Sequence, residues 1–247
     1  MTNKERTQIL GTGYAVPDRV LTNRELESMV DTSDEWIITR TGIRERRICS
    51  PDWATSDLAL LAAEKAIKNA GIEAGDLDLI LVATVTPDMV FPSTACLLQG
   101  RLGADKAAAF DISAGCTGFI YALAVADRFL MAGDYRYILV VGAETLSRIT
   151  DYTDRNTCVL FGDGAGAVVV GRGSGANGIL STYLAADGSG ESLLYLPAGG
   201  SRMPATHQTV DEHLHYIRMQ GNEVFRFAVN AIPECVRQVL EPAGVSI

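Results

Sequence analysis

A cysteine placed to act as a nucleophile stands at position 116, within Phe110-Asp111-Ile112-Ser113-Ala114-Gly115-Cys116-Thr117-Gly118-Phe119. Before it, Ala107 to Phe110 reads as a strand. After it, Thr117 to Ala132, dense in Ala, Leu and Phe, reads as a helix closed by Gly133. A thiol at such a junction meets the unpaired N–H groups and the positive end of the helix. Both favour the thiolate, which is the nucleophilic form. Ala114, Gly115 and Gly118 are small enough for a thioester carbonyl to approach, with backbone N–H groups left to receive an oxyanion. The competing reading is a buried cysteine serving as a small hydrophobe.

Two other clusters suggest chemistry less strongly. Phe161-Gly162-Asp163-Gly164-Ala165-Gly166-Ala167 has the glycine content of a phosphate loop. A dinucleotide fingerprint, however, runs strand, glycine turn, helix. Here Val168-Val169-Val170 follows, which is strand, so close backbone packing around an active site is the better expectation. His207, His213 and His215 lie in one late segment. The His213-x-His215 spacing would suit a metal on a strand, but solvated loop histidines are the preferred reading, and no metal is expected.

These groups need elements to hold them. Ile9-Leu10 opens a strand that Gly11-Thr12-Gly13 ends or bends. Thr22, with Glu25 three residues on, has the spacing of a capping box and starts a helix. A second helix runs from about Ser56 to Ala70, capped by Ser56 or Thr55 and closed by Gly71, and a short one from Ser93 to Leu102, closed by Gly103. Leu79 to Val85 is a continuous apolar run, the pattern of a strand buried on both faces. Tyr137 to Val141 and Ala165 to Val170 read the same way. Gly171 to Gly175 is a turn-rich connector, Ile179 to Ala185 a new strand, and about Asn222 to Leu240 a helix. Helices alternating with buried strands predict an α/β protein with a mixed, mostly parallel sheet covered on both faces. The expected halves are 1–172, which carries Cys116, and 173–247. Leu240 to Ile247 ends a helix where a further strand is expected, so the second half reads as incomplete.

At 247 residues, 47% of them hydrophobic, the chain can bury one large core or two packed halves. The net charge of −9 argues against non-specific binding to nucleic acid or to an anionic membrane. The sequence shows no uninterrupted apolar run of about 18 residues and no signal-peptide pattern at its start. Cys49, Cys96, Cys116, Cys158 and Cys235 are odd in number and scattered, without a C-x-x-C pair. That is a reduced, cytoplasmic pattern with neither a disulfide framework nor a zinc knuckle.

Several segments together resemble the β-ketoacyl-acyl-carrier-protein synthase III family, the thiolase-fold condensing enzymes that start type II fatty-acid synthesis. They are Asp34-Glu35-Trp36-Ile37, Thr39-Arg40-Thr41-Gly42-Ile43-Arg44-Glu45-Arg46, Gly115 to Phe119, Asp154-Arg155-Asn156, Phe161 to Ala167, and Gly221-Asn222-Glu223-Val224-Phe225. The resemblance covers essentially the whole chain and implies a thiolase-like fold of two similar halves. It implies that Cys116 takes an acyl group from a short acyl-CoA and passes it to malonyl-acyl-carrier protein with loss of carbon dioxide. No cofactor is expected, since acyl-CoA is a substrate.

The same resemblance gives Trp36 and Arg40 to the CoA adenine and phosphates, a pairing that stacking and guanidinium forks would suit. It adds Arg155 as a second CoA contact and Thr32 and Asn156 as weaker ones. Gly221, Phe225 and Ala228, spaced to share one helix face, would line the pantetheine channel. Phe91 would cross a homodimer interface to line the partner's acyl pocket. Arg44, Arg46 and Arg47 form a basic patch fit for phosphates or an acidic carrier protein, or simply a solvated turn. The family's decarboxylating histidine and asparagine find no counterpart here: His207-Gln208 lacks the preceding proline and lies before Gly221 instead of after it. From this follows the expectation of a separate C-terminal piece. The rival readings are a specialised thiolase-fold starter synthase and a non-catalytic fragment.

Overall fold

The computed structural model describes residues 5–175 and 177–246. The chain forms two compact units: one from the N-terminal stretch through Asp18, Cys49–Thr145 and Asp163–Leu184, the other from Arg19–Ile48, Leu146–Gly162 and Ala185 onward. The boundary expected at residue 172 falls inside the last stretch of the first unit.

The first unit is built on β1 (Arg6–Ala15), β4 (Leu79–Ala83), β5 (Ala108–Ile112), β6 (Tyr137–Thr145) and β7 (Asp163–Gly173). Their order in the sheet is β1-β7-β6-β4-β5. β4 pairs in parallel with β5 and β6, while β7 is antiparallel to both β6 and β1. Only β7 therefore runs against the other four, which makes the sheet mixed and mostly parallel. The helices over it are α3 (Thr55–Ala70), α4 (Thr94–Leu102) and α5 (Gly118–Ala132).

The continuous apolar runs are explained by the two-residue period of a strand. Leu79, Leu81 and Ala83 of β4, with Ile138, Val140, Val168 and Val170, pack on Ala122, Ala126 and Leu130 of α5. Ile80 and Val82, with Leu139, Val141, Ala167 and Val169, face the opposite layer, where α3 offers Leu58, Ala59, Ala62, Ala63 and Ala66, and α4 offers Ala95 and Leu98. By length and composition Gly115–Ala132 would pass as a membrane span. Its buried side instead covers this sheet.

Several expectations need correction. Gly11 and Gly13 do not end β1, which runs through them with a register shift between Ile9 and Gly11. They are there because α3 lies against the strand: a Cβ at Gly11 would stand 2.3 Å from the Ala66 carbonyl oxygen, and one at Gly13 2.1 Å from that of Ala62. Neither Thr55 nor Ser56 caps α3. Ala54 is the cap residue, with its N–H donated to Asp57 at 2.7 Å. β7 continues to Gly173, into the expected connector. Ile179 to Ala185 is not a strand; Ile179 makes one backbone bond to the Thr7 carbonyl, and no ladder follows.

The second unit holds β2 (Arg19–Thr22), α1 (Asn23–Glu27), α2 (Asp34–Thr41), β3 (Glu45–Ile48), α6 (Arg155–Cys158), β8 (Leu194–Tyr195), α7 (His207–Asp211), β9 (Arg218–Met219) and α8 (Gly221–Ala243). β2 pairs with β3, and β8 with β9, both antiparallel. The Thr22–Glu25 capping box forms as expected. Leu21, Leu26, Ile37, Ile48, Cys158 and Val159 make the core. α8 contributes no buried residue.

Candidate active site

The turn that carries Cys116 is made by backbone geometry. Gly115 holds φ +55°, the left-handed region that a residue without Cβ enters freely, and starts a 3₁₀ turn over Gly115–Thr117. The chain then enters α5 at Gly118, where a Cβ would approach Ala83 of β4 at 3.1 Å. The Thr117 hydroxyl donates to the Ala114 carbonyl at 3.0 Å and so does not occupy the helix N-terminus. The thiol of Cys116 is exposed, two residues before a 15-residue helix. No disulfide joins it to its four fellow cysteines. Cys49 and Cys158 are buried, and Cys96 and Cys235 are exposed in the helical segments α4 and α8. Burial, with the Asp154 charge adding to it, pushes the Cys158 thiol up, away from reactivity.

Three carboxylates order the first unit. Asp111 on β5, five residues before Cys116, accepts the Thr94 and Ala95 N–H groups of α4 at 2.8 and 2.7 Å. Asp88 accepts the N–H and hydroxyl of Ser56 at 2.9 and 2.7 Å. Glu144, at the end of β6, is bonded by the residues that follow β4, and burial raises its carboxyl above the usual range against the opposing bonds from Thr86, Val85 and Thr84. Sequence reasoning passed over all three. Between Asp88 and α4, Val90 and Phe91 are 89% and 82% exposed.

In the second unit, α2 presents Trp36 and Arg40 one turn apart, with Ser33 capping the Trp36 N–H at 3.1 Å. Trp36 is half-buried on the core, and Arg40 is exposed. Arg155 lies over the Trp36 ring with its guanidinium carbon 4.8 Å from the centroid, and pairs with exposed Asp31 at 3.6 Å. The structure thus joins Trp36 and Arg155, which are remote in sequence. The Asn156 amide is committed to Asp154 at 2.9 Å, while the buried Thr32 hydroxyl has no hydrogen-bond partner among the described residues. Gly221, Phe225 and Ala228 lie on the first turns of α8, with Phe225 71% exposed.

The basic patch is not as expected. Arg46 is buried at 4% exposure, its guanidinium donating to the Val159 carbonyl and the Asn23 amide oxygen. Desolvation lowers its pKa from the ordinary value. Gly162 leaves room for it: a Cβ there would meet the Arg46 Cβ at 3.1 Å. Two of the three histidines bond to protein side chains. His213 Nδ1 meets the Asp151 carboxylate at 3.3 Å, and His215 Nε2 the Thr209 hydroxyl at 2.9 Å. Among the described residues no group of three His, Cys, Asp or Glu side chains could hold a metal ion.

The profile of 3-oxoacyl-[acyl-carrier-protein] synthase III matches residues 110–188, the stretch from the Cys116 strand past β7. A β-ketoacyl-[acyl-carrier-protein] synthase III of Syntrophomonas wolfei is 60% identical over 241 residues, 98% of this chain and 73% of that protein. One of Caldanaerobacter subterraneus is 60% identical over all of this chain and 74% of its own length. The crystal structure of the Aquifex aeolicus 3-oxoacyl-[acyl-carrier-protein] synthase III superposes with a TM-score of 0.87 at 50% identity, covering 97% of this chain and 73% of that one. The fold is that of the thiolase-like condensing enzymes, and the chain is an acyltransferase of fatty-acid synthesis. It belongs to the β-ketoacyl-acyl-carrier-protein synthase III family.

Proposed function

We propose that Cys116 is the residue acylated in the initiating condensation of fatty-acid synthesis. The observation that carries this is the exposed thiol on a glycine turn at the head of α5. Its sulfur attacks the carbonyl of a short acyl-CoA. The S–acyl bond to the enzyme forms, the bond to CoA breaks, and the CoA sulfur leaves and takes a proton. Malonyl-acyl-carrier protein then loses carbon dioxide, and its carbanion attacks the acyl-cysteine. The new carbon–carbon bond expels the Cys116 thiolate and leaves a β-ketoacyl-carrier protein. Two half-reactions through a covalent intermediate predict ping-pong kinetics. Acyl-CoA enters as substrate, and the scheme uses no cofactor. Trp36, Arg40 and Arg155 hold its nucleotide end, with Thr32 and Asn156 beside them. Gly221, Phe225 and Ala228 line the approach of the pantetheine arm.

The enzyme works in the cytoplasm as a homodimer joined along β5. That strand is an edge of the sheet, and Phe110, Ile120, Val90 and Phe91 of the same unit are exposed large hydrophobics. Phe91 enters the partner's acyl pocket. A monomer in light scattering, retaining full activity, would contradict the dimer. Peptide mapping after incubation with acetyl-CoA tests the main proposal: the acyl group is expected on Cys116, and a label on another cysteine overturns it.

A further inference from the structure

Glu144 has no part in the chemistry above, yet it is held by an unusual set of bonds. Its carboxylate accepts the Val85 N–H at 2.9 Å, the Thr84 hydroxyl at 3.3 Å and the Thr86 hydroxyl. Both hydroxyls are fixed in direction. Thr84 Oγ1 accepts the Thr86 N–H at 3.1 Å, and Thr86 Oγ1 accepts the Thr145 N–H at 2.9 Å. Each therefore turns its own hydrogen toward Glu144. A carboxylate can accept all three; a glutamine would aim N–H donors at groups that already donate. The loop is also tied further on. The Thr55 hydroxyl donates to the Thr86 carbonyl, and Asp88 receives Ser56. After the exposed Met89, Val90 and Phe91, Asp111 takes up the start of α4.

A bulky apolar tip left exposed by the described residues is thus held at both ends by carboxylates. Glu144 fixes the end that leaves the sheet, and Asp111 belongs to the strand that leads to Cys116. We propose that Glu144 is a positioning residue for acyl-chain selection. Acting through Thr84, Val85 and Thr86, it sets where the Phe91 ring stands and never touches the substrate. This rests on the reading of Phe91 as a wall of the partner's acyl pocket.

The test compares acylation rates of Cys116 in the full-chain enzyme with acetyl-CoA and octanoyl-CoA, with alkylation by iodoacetamide as a measure of the bare thiol. Glu144→Gln is expected to change the acetyl-to-octanoyl ratio about tenfold or more, because a small displacement of a pocket wall is strongly felt. The alkylation rate should stay within about twofold, since the thiol's own turn is untouched. Thr86→Val should shift the ratio in the same direction, and Thr86→Ser, which keeps the hydroxyl, should not. These threonine variants carry the test if Glu144→Gln does not fold. In a Phe91→Ala background Glu144→Gln should add nothing, because the residue through which it acts is gone. Full additivity there overturns the proposal. So does a ratio shifted by Phe91→Ala but by neither Glu144→Gln nor Thr86→Val. If Phe91→Ala itself leaves the ratio unchanged, the pocket reading fails, and the role proposed for Glu144 falls with it.

Discussion

The turn at Cys116 and the contact between Trp36 and Arg155 are built by opposite means. The first is backbone: a left-handed Gly115, a 3₁₀ turn, and an α5 whose N-terminus has no side-chain cap. The second is side chain on side chain, an indole under a guanidinium, with an exposed ion pair that adds little. A backbone-built site concentrates its function in the one side chain it displays. A side-chain-built site divides its function among members of modest worth. Mutations at the two places should therefore differ in kind as well as in size.

The largest effect is expected at the displayed cysteine, the proposed nucleophile. Cys116→Ser should lower condensation by about a thousandfold or more, because a serine hydroxyl ionises far less readily than a thiol and is the weaker nucleophile at this turn. Acyl-CoA binding, followed by calorimetry, should survive nearly intact. A parallel loss of binding would show that the two regions are not separable in the way their construction suggests.

Next comes Arg46, on which the side-chain-built region depends. Arg46→Ala would leave the Val159 carbonyl and the Asn23 amide without their donor in a buried place. Each such orphan costs about 1–3 kcal/mol, so a loss of about 2–5 kcal/mol is expected in denaturant unfolding. Arg46→Lys should not restore it, since one ammonium lacks the planar fork that reaches both acceptors. Full stability in the lysine variant would mean that charge alone matters there.

Arg46 also shows where the sequence could be read and where it could not. The run Arg44-Glu45-Arg46-Arg47 looks like a solvated patch, but β3 alternates, and a buried Ile48 places Arg46 on the same inward face. That signal was present. What offsets the burial was not, because Val159 lies 113 residues away. The elements of the first unit were legible because their periodicity is strong: β4, α4 and α5 fall close to where apolar pattern and closing glycines put them. That Gly11 and Gly13 would end or bend the first strand was half right: the register shifts there but the strand runs on, and the glycines also mark the close approach of α3, which the sequence alone does not show. Cys116 stood out because the cues around it are local: a strand end, a glycine turn and a helix start. The roles of Glu144 and Asp111 were not, because each acts on residues about 16 to 60 positions away.

A smaller effect is expected at the proposed CoA contact. Trp36→Ala and Arg155→Ala should each weaken acyl-CoA binding by about 1–3 kcal/mol while leaving alkylation of Cys116 unchanged. Because the two side chains touch, the double variant should lose less than the sum. Strict additivity would mean that they bind CoA independently and that their contact is incidental. Unchanged affinity in both single variants would place the CoA site elsewhere.

The smallest effect lies in the second unit, at Asp151, and it has a definite sign. Burial alone would raise this carboxyl, but the Thr153 hydroxyl and N–H bonds, at 2.6 and 2.9 Å, and His213 outweigh it and hold the carboxyl below its ordinary 3.8. The folded state therefore binds this proton less readily than the unfolded chain does. The stabilisation is fully present above about pH 4 and is lost as pH falls through the lowered folded value. Asp151→Asn should cost about 1–2 kcal/mol at neutral pH, the worth of charge-assisted bonds at one carboxylate. The difference from wild type in unfolding free energy should then shrink as the solution is acidified below pH 4. His213, held at φ +56° beside this carboxylate, should relax with it, which amide exchange across 212–216 would register. A difference that stays constant from neutral pH to well below 4 would mean the bonds are made as well by the neutral acid, and that the charge at Asp151 contributes nothing.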